Sequence, residues 1–312
     1  MGEKERIAAV IVTYNRKELL GPCLDSVLSQ TMPLDSIVVI DNASTDGTPD
    51  FLRDAGYLGK KAVDYARMLK NIGGAGGFYE GTKRAYESGF DWFWLMDDDA
   101  IADRRCLENM INNGRSAGAM VLSPLVVDKD GKNLLSFDVY DKNRGKLLKN
   151  AGDAEGSGKI FETTAVSFNG ILINRAVAAK IGFPRKEFFI WSDDVEYSLR
   201  IVKNGFKINV VPQSIFYHPR FMNRYKKIMG GIFGSMLVGS ELYFYCRQRN
   251  YAVIMMEYKG FLATACFMAK EAIKIFFYSL QERNFAFLKL ALFAFYHAIG
   301  KRFGYEQKFL KP

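Results

Sequence analysis

Short apolar runs alternate with longer amphipathic stretches through the first 130 residues of the chain. Continuous apolar strands that alternate with helices are typical of βαβ units. The pattern therefore predicts an α/β fold, with a mostly parallel sheet and helices on both faces. The predicted strands are residues 7–14, 36–41, 62–69, 92–96 and 119–127, and the predicted helices are residues 17–30, 77–88 and 103–115.

Polar residues follow directly after four of the predicted strands. In open α/β sheets, ligands bind outside the carboxyl ends of the strands, so all four polar segments are expected at one edge of the sheet. Four such segments at one edge indicate a nucleotide pocket. They are residues 13–16 (TYNR), 41–48 (DNASTDGT), 71–78 (NIGGAGGF) and 97–99 (DDD).

The chain is less regular after the fifth predicted strand. Residues 128–162 are polar and glycine-rich, and Asp130 followed by Gly131 indicates a hairpin. We expect a mobile excursion here, near the pocket. Beyond it, the pattern predicts a strand at residues 164–173, a helix that begins near Ser192 and a final strand at residues 207–217, directly before His218.

Three consecutive aspartates, Asp97, Asp98 and Asp99, end the fourth predicted strand. Successive side chains of a strand point to opposite faces, so Asp97 and Asp99 share one side. Two carboxylates on one side repel each other unless a cation lies between them. A hard divalent cation fulfils this role and also bridges a diphosphate. The alternative is a solvated acidic turn that caps the next helix, but the buried strand before the triplet favours the metal site.

The glycine-rich segment at residues 73–77 can bring the backbone close to a ligand, and its amides can contact phosphate or sugar. No Gly-Lys-Ser/Thr sequence follows it, so it is not a Walker loop. Its spacing and its position in the chain also differ from those of a dinucleotide fingerprint. A purely structural role for this turn stays open beside the functional one.

Acidic residues stand at the predicted start of the helix near residue 192. Asp193 and Glu196 have the spacing of a capping box, which gives Asp193 an ordinary structural role. Asp194 is then left at the first helical position, where a carboxylate is a candidate general base for an alcohol. The helix dipole is expected to lower the pKa of Asp194.

His218 is one of two histidines in the chain, and the other, His297, lies in an apolar stretch. A lone histidine is often an ordinary surface or core residue. Its place at the end of a predicted strand makes metal ligation an equally good interpretation of His218. Asp97, Asp99 and His218, with two phosphate oxygens and a water, would complete an octahedral shell suited to Mn²⁺ or Mg²⁺.

Taken together, these motifs resemble the inverting, GT-A-fold glycosyltransferases of family 2, and the resemblance covers about residues 6–219. The glycine-rich segment looks most like that of galactofuranosyltransferases and, next, that of some rhamnosyltransferases. The matching motifs are residues 12–16 (VTYNR), 41–48, 97–99 and 191–196 (WSDDVE), with residues 71–78 as the galactofuranosyltransferase-like element.

The resemblance implies roles for the residues around the donor. Thr13 and Tyr14 would line the nucleotide pocket, and Asp41 would hydrogen-bond the base of a UDP-type donor. Arg16 would stabilise its loop or a phosphate. The other donor-binding positions are Asn71, Asp97 and Asp98, with Gly76 and Gly77 leaving room for the donor.

The same resemblance implies the metal site and the acceptor site. Asp194 would deprotonate the acceptor hydroxyl, while Trp191 and Asp193 hold the acceptor sugar. The implied ligands of the divalent cation, Mn²⁺ or Mg²⁺, are Asp97, which also meets the ribose, Asp99 and His218.

The last third of the chain differs in composition. Residues 220–312 hold 21 of the 44 aromatic residues and carry 15 Lys and Arg against 5 Glu and no Asp, so the basic excess of the chain belongs to this segment. Its apolar stretches are interrupted by Lys270, Glu271 and Lys274 on one helix face. This pattern argues against a spanning helix and for helices that lie on an anionic membrane surface. The alternative is a helical subdomain that packs on the catalytic core, and nucleic acid is not expected because the aromatics follow helical spacing.

Cysteine usage and the start of the chain bear on location. The four cysteines lack C-x-x-C spacing, which is typical of a reduced, cytosolic protein. The first apolar run, residues 7–12, is too short for a signal peptide or a membrane anchor. We therefore expect peripheral attachment to the cytoplasmic face of the membrane.

The sequence thus predicts a GT-A catalytic domain at residues 1–220 and a basic, aromatic-rich helical region at residues 221–312. The expected reaction is metal-dependent, inverting transfer of galactofuranose from UDP-galactofuranose to a growing, lipid-linked glycan. Transfer of rhamnose or of a hexopyranose stays open. A sugar nucleotidyltransferase is more remote, since it would need a glycine-rich, basic loop at residues 13–16. A non-catalytic subunit that binds nucleotide sugars is also remote, because the candidate acids and His218 are all present.

Overall fold

The computed structural model describes residues 5–129, 134–155, 160–220, 225–237 and 239–310. The chain divides into two compact units. The first, here called the sheet unit, comprises Met1–Lys186 and Tyr197–Arg220. The second, here called the C-terminal unit, comprises Glu187–Glu196 and Phe221–Pro312. The domain boundary at residue 220 stays a prediction, and the structure adds that ten residues before it, 187–196, group with the C-terminal unit.

Eleven strands of the described chain form one sheet in the sheet unit. The strands are β1 (Ile7–Thr13), β2 (Ser36–Asp41), β3 (Val63–Arg67), β4 (Trp92–Asp97), β5 (Ile101–Ala102), β6 (Val121–Asp128), β7 (Leu134–Asp141), β8 (Lys146–Asn150), β9 (Phe161–Thr163), β10 (Ile171–Asn174) and β11 (Ile208–His218). The helices up to residue 203 are α1 (Lys17–Leu28), α2 (Thr48–Asp54), α3 (Gly73–Glu87), α4 (Cys106–Ala117), α5 (Ala151–Glu155), α6 (Arg175–Ile181) and α7 (Asp193–Lys203).

The main path of the sheet runs β3-β2-β1-β4-β10-β6-β11-β5. Strands β3, β2, β1 and β4 are parallel to one another, as are β6 and β11, while β10 is antiparallel to both of its neighbours. Every residue of β1 and β2 is buried, as expected for strands with helices on both faces. The predicted α/β fold with a mostly parallel sheet is confirmed.

The two faces of the sheet carry separate apolar cores. On β1, Ala9 and Ile11 contribute to one core and Ala8 and Val10 to the other, following the two-residue period of a strand. The continuous apolar runs in the sequence therefore arise because both side-chain sets of a central strand are buried. This burial fixes the register and hence the positions of the polar residues at the strand ends.

The predicted strand at residues 164–173 is wrong in its extent. The structure has two short strands instead, Phe161–Thr163 and Ile171–Asn174, and Gly170 lies between them with a φ of +91°. A strand cannot continue through this φ, and a Cβ at Gly170 would lie 2.7 Å from Cγ of Pro124. The predicted hairpin at Asp130 and Gly131 lies outside the described residues, and the mobility of residues 128–162 stays a prediction.

Helix α3 begins at Gly73, four residues earlier than the predicted helix at residues 77–88. The glycine-rich segment is thus the first turns of a helix, and its expected form as a turn is wrong. A Cβ at Gly77 would lie 2.4 Å from Cγ1 of Val12, and one at Gly81 would lie 2.3 Å from Cγ1 of Val10. The glycines are needed because this helix packs closely on strand β1.

The C-terminal unit is mainly helical. Its elements are β12 (Tyr225–Lys227), β13 (Ser235–Leu237), α8 (Glu241–Tyr258), α9 (Phe261–Gln281) and α10 (Ala286–Ile299). Helix α8 begins after Ser240, whose side chain accepts a hydrogen bond from the backbone amide of Tyr243. Among the helices that the structure describes, each is too short or too polar to cross a membrane.

Candidate active site

The carboxyl ends of the parallel strands bring the polar segments together. Thr13 at the end of β1 is in register with Asp41 at the end of β2, and Val12 is in register with Asp97 at the end of β4. Arg67, at the end of β3, pairs with Asp41 from the other side. The structure therefore places the candidate donor residues of three strands at one edge of the sheet.

Asp98 is held by the segment after strand β1. The hydroxyl of Thr13 donates to Asp98 Oδ2 over 2.7 Å, and Arg16 Nη1 lies 3.3 Å from Asp98 Oδ1. Burial raises the pKa of Asp98 to about 6, although Arg16 and Thr13 act in the opposite direction. Asp98 thus fixes the segment after β1 against the end of β4, and Tyr14, next to Thr13, stays exposed.

Asp97, Asp99 and His218 form a cluster in which one ligand atom of each lies within 4.8 Å of the others. His218 Nδ1 lies 2.8 Å from the carbonyl oxygen of Pro219, which can only accept, so Nδ1 carries the proton. His218 Nε2 faces Asp99 Oδ1 at 3.2 Å. While His218 is neutral with its proton on Nδ1, the buried Oδ1 of Asp99 receives no hydrogen bond from the described residues.

This arrangement fits a divalent cation. In neutral His218, the Nε2 lone pair and the Asp99 carboxylate are two acceptors that face each other, and only a second proton or a cation resolves the conflict. Burial by itself lowers the pKa of His218, but Asp99 and Asp97 outweigh it and the net pKa is raised. Burial would raise the pKa of Asp99, but the hydrogen bond and charge of His218 and the charge of Arg16 lower it. The raised pKa of His218 favours a second proton on its ring when no cation is bound.

Asp41 is completely buried and both of its oxygens are engaged. The hydroxyl of Tyr65 donates to Asp41 Oδ2 over 2.6 Å, and the backbone amide of Ser44 donates to Oδ1 over 2.8 Å. Arg67 Nε lies 3.8 Å from Oδ2, and Arg67 also donates to the carbonyl of Ser44. Sequence reasoning missed Tyr65 and Arg67, because the strand predicted at residues 62–69 placed both inside it, whereas β3 ends at Arg67.

Asn71 and the neighbouring glycines serve the start of helix α3. Asn71 Oδ1 accepts a hydrogen bond from the backbone amide of Gly73 over 2.8 Å. A Cβ at Gly76 would lie 2.9 Å from the side chain of Ile72, and Gly77 faces Val12. These contacts give the three residues a structural role, and their role towards the donor stays a prediction.

The acidic pair Asp193 and Asp194 lies at the start of α7, in the part of the chain that belongs to the C-terminal unit. The helix begins at Asp193 itself, so Ser192 rather than Asp193 stands at the capping position. Glu196, the other member of the expected capping box, accepts a hydrogen bond from the hydroxyl of Tyr258 over 2.8 Å. The capping-box interpretation is therefore wrong, because the residue three positions after Ser192 is Val195, which cannot return a hydrogen bond to the cap.

The pKa of Asp194 is not lowered as the helix dipole suggested. Desolvation by burial raises it to about 6, although the backbone amide of Val195 donates to Asp194 Oδ1 over 2.7 Å. Desolvation and the charge of Asp194 also raise the pKa of buried Asp193. A carboxylate with a raised pKa is a better proton acceptor near neutral pH.

Trp191 lies before the acidic pair and forms an aromatic pair with Tyr243 of helix α8, their rings nearly perpendicular with centroids 6.3 Å apart. Both residues belong to the C-terminal unit. Tyr243 is separated from Trp191 by 52 positions in the sequence. An aromatic pair beside the candidate base is chemically suited to packing against a sugar ring.

The mostly parallel sheet with helices on both faces and acids at its strand ends defines the GT-A fold of glycosyltransferases. The chain belongs to the family described as "Glycosyl transferase family 2", whose model matches residues 8–168. The predicted family, the GT-A fold and the assignment as a glycosyltransferase are thereby confirmed.

Two curated relatives and one solved structure illustrate the similarity. The chain is 30% identical to galactofuranosyltransferase GlfT1 of Mycolicibacterium smegmatis over 259 residues, which cover 80% of this chain and 84% of that protein. It is 23% identical to the dTDP-rhamnosyl transferase RfbF of Shigella flexneri, over 68% of each chain. A crystal structure of GalNAc-T7 with UDP, GalNAc and Mn²⁺ superimposes with a TM-score of 0.57 and 15% identity, over 82% of this chain and 48% of that chain.

Proposed function

We propose that this chain is a metal-dependent, inverting glycosyltransferase that moves galactofuranose from UDP-galactofuranose onto a hydroxyl of a growing, lipid-linked cell-surface glycan. The observation that carries the proposal is the cluster of Asp97, Asp99 and His218. It lies at the end of β4, next to Asp98, which Thr13 and Arg16 hold in place. Galactofuranose as the donor sugar is supported by the 30% identity to a galactofuranosyltransferase.

The residues of the cluster would hold Mn²⁺ or Mg²⁺ through oxygen and imidazole ligands, which both cations accept. A cation bound there would neutralise the negative charge that develops on the diphosphate leaving group. Arg16 Nη1, 3.0 Å from Asp99 Oδ2, adds positive charge on the same side. Asp41 is completely buried, so in this proposal it holds half-buried Tyr65 and exposed Arg67, which would meet the nucleotide base.

Asp194 acts as the general base in this proposal. Its ionised carboxylate takes the proton of the acceptor hydroxyl while the hydroxyl oxygen bonds to the anomeric carbon of the donor. The bond from that carbon to the diphosphate oxygen breaks on the opposite face, and UDP leaves with the bonding electrons. One displacement of this kind inverts the anomeric configuration. Trp191 and Asp193 would orient the acceptor sugar.

A donor panel tests the proposal. Full-length protein with Mn²⁺ is given UDP-galactofuranose, UDP-galactopyranose or dTDP-rhamnose, with an octyl galactofuranoside in place of the lipid-linked glycan. We expect transfer from UDP-galactofuranose, with an anomeric configuration opposite to that of the donor when the product is examined by NMR. A preference for dTDP-rhamnose would favour the second candidate, which the similarity to RfbF supports, and a retained configuration would overturn the single displacement.

The C-terminal unit is proposed to lie on an anionic membrane surface at the cytoplasmic face. Two members of the charged stripe of helix α9 are not free at the surface, because Glu271 accepts a hydrogen bond from Gln248 of α8 and pairs with Lys274, whereas Lys270 is exposed. The outer surface also carries apolar side chains, with Phe261 88% and Leu262 76% exposed. The other exposed apolar residues of α9, α10 and their connection are Ile273, Phe276, Leu280, Phe285, Leu292, Phe293, Tyr296 and Ile299.

Vesicle flotation tests this surface. The full-length protein is expected to float with phosphatidylglycerol vesicles and far less with phosphatidylcholine vesicles, because exposed basic residues such as Lys270 and Lys289 attract anionic lipid. The double variant Phe261→Ser/Leu262→Ser should lose most of this binding. Leu58→Ser, which removes an exposed leucine of the sheet unit, is the matched control and should float normally. Absence of binding to anionic vesicles would overturn the membrane proposal.

A further inference from the structure

Two polar residues of helix α8, Arg249 and Asn250, are completely buried in the C-terminal unit. Their side chains reach residues 187–192, here called the base loop, which leads directly into Asp193 and Asp194. We propose that Arg249 and Asn250 are positioning residues that hold the base loop, and through it Asp194, in the geometry that proton transfer needs. The inference rests on the proposed role of Asp194 as the general base.

Asn250 gathers three carbonyl groups of the base loop. Its Nδ2 lies 2.9 Å from the carbonyl oxygen of Phe188, 3.0 Å from that of Ile190 and 2.7 Å from that of Trp191. The amide nitrogen carries two hydrogens, so the three contacts share them. One side chain thereby fixes the path of the loop on both sides of Phe189.

Arg249 completes the clamp and orients Asn250. Its Nε donates to Asn250 Oδ1 over 3.0 Å, which points Nδ2 of Asn250 at the loop carbonyls. Its Nη2 donates to the carbonyls of Glu187 and Phe188, at 3.2 and 3.0 Å. Its Nη1 pairs with buried Glu306, which balances the charge. Bonds to buried carbonyls from an ionised, planar donor are strong and directional.

The base loop needs such a clamp because its backbone is strained. Phe189, Trp191 and Ser192 have φ values of 64°, 69° and 64°. These values lie in the left-handed region, which residues other than glycine rarely adopt. Residues in this region persist only where surrounding contacts impose the conformation. The contacts from Arg249 and Asn250 are of this kind, since they bind the carbonyls within and beside the strained positions.

The strained residues directly precede the helix that carries Asp194, so their backbone angles determine how the Asp194 side chain is oriented. Trp191 and Ser192 are the last two residues before α7, so their φ angles set where the first helical turn begins. Asp194 stands in that first turn. A relaxed base loop would move the start of the helix, and a shift of about 1 Å in a reacting group can lower a rate about 10²-fold.

The test compares two buried amides of the same helix in the full-length protein. Asn250→Leu removes the donor to the base loop, whereas Gln248→Met removes an amide that contacts Glu271 of α9 instead. Hydrogen exchange followed by mass spectrometry reports on the amides of residues 187–195 without any substrate. Steady-state transfer from UDP-galactofuranose to octyl galactofuranoside gives kcat and KM, and calorimetry gives the donor Kd.

We expect Asn250→Leu to speed exchange in the base loop and to lower kcat about 10²-fold, with an unchanged donor Kd, because the hydrogen bonds that Asn250 donates go to the base loop. Gln248→Met should leave both the exchange of the base loop and kcat at wild-type values. Unchanged exchange in Asn250→Leu would overturn the clamp. Faster exchange with an unchanged kcat, or an equal loss of kcat in Gln248→Met, would overturn its catalytic role.

Arg249→Lys is the second variant, in case Asn250→Leu does not fold. It keeps a positive charge opposite Glu306 but loses the planar fork that reaches Glu187 and Phe188, so faster exchange and a loss in kcat of about 10-fold are expected. Exchange and kcat both at wild-type values would overturn the clamp. Hydrogen exchange of the base loop does not depend on which residue is the general base. It therefore tests the hydrogen bonds of Arg249 and Asn250 separately from the proposed role of Asp194.

Discussion

Asp194→Asn is expected to lower the rate of transfer by about 10²–10⁴-fold, the usual contribution of a general base. The amide keeps the size and most hydrogen bonds of the carboxylate but cannot accept the proton of the acceptor hydroxyl. Donor binding should be unchanged, because the residues proposed to bind the donor are those at the ends of β1, β2 and β4. Initial rates at saturating donor and acceptor, with calorimetry for donor affinity, measure the two effects.

The matched control is Glu196→Gln, an acid-to-amide change in the same helix. Its new side chain still accepts the hydrogen bond that Tyr258 donates to Glu196, so the rate should stay near that of the wild type. Asp194→Asn retaining more than about a tenth of the wild-type rate would remove Asp194 as the base, since base catalysis is worth at least ~10².

The pH dependence of the same reaction follows from the raised pKa of Asp194. The carboxylate accepts a proton only when it is ionised, so kcat should fall as the pH drops through about 6. If the base were an aspartate with an ordinary pKa of about 3.9, kcat would fall only at a pH about two units lower. Asp194→Asn should lose this dependence, while Glu196→Gln should keep it.

Asp99→Asn is expected to remove most metal-stimulated transfer, lowering the rate about 10³-fold. A cation that stabilises the leaving group contributes several kcal/mol, and each ~1.4 kcal/mol is a factor of ten. Asparagine cannot balance the cation's charge and puts an amide beside Nε2 of His218. The binding of Mn²⁺ itself, measured by electron paramagnetic resonance, should weaken in parallel with the rate.

Asp103→Asn is the control for this change. Asp103 lies four positions further along the chain, and its side chain accepts a hydrogen bond from the backbone amide of Arg105, which asparagine can still accept. Its rate and its affinity for Mn²⁺ should match the wild type. Equal Mn²⁺ binding in Asp99→Asn and the wild type would contradict the assignment of the cluster as a metal site.

The sheet and the candidate acids at its edge could be predicted from sequence, because each strand and the polar residues after it form a recognisable local pattern. Strands buried on both faces read as continuous apolar runs, and the residue after each run lies at the ligand-binding edge. Asp97, Asp99 and His218 are recognisable in this way, although the last is separated from the first by 121 positions. They meet because β5, which follows the aspartates directly, pairs with the end of β11 beside His218.

Other features depend on contacts that no local pattern encodes. The raised pKa of Asp194 results from burial, which outweighs the helix dipole that sequence reasoning considered. The early start of α3 at Gly73 follows from its close packing on Val12. Nothing local in the sequence indicates that Arg249 and Asn250 bind a loop about 60 positions earlier in the chain, and only the fold reveals it.

The most direct test of the account is a calorimetric titration of UDP-galactofuranose into the full-length protein, with Mn²⁺ and again after chelation with EDTA. We expect saturable binding that depends on the metal, is lost in Asp99→Asn, and exceeds that of dTDP-rhamnose. Binding that is unchanged by the chelator, or no binding of any nucleotide sugar in the presence of metal, would contradict the role given to Asp97, Asp99 and His218.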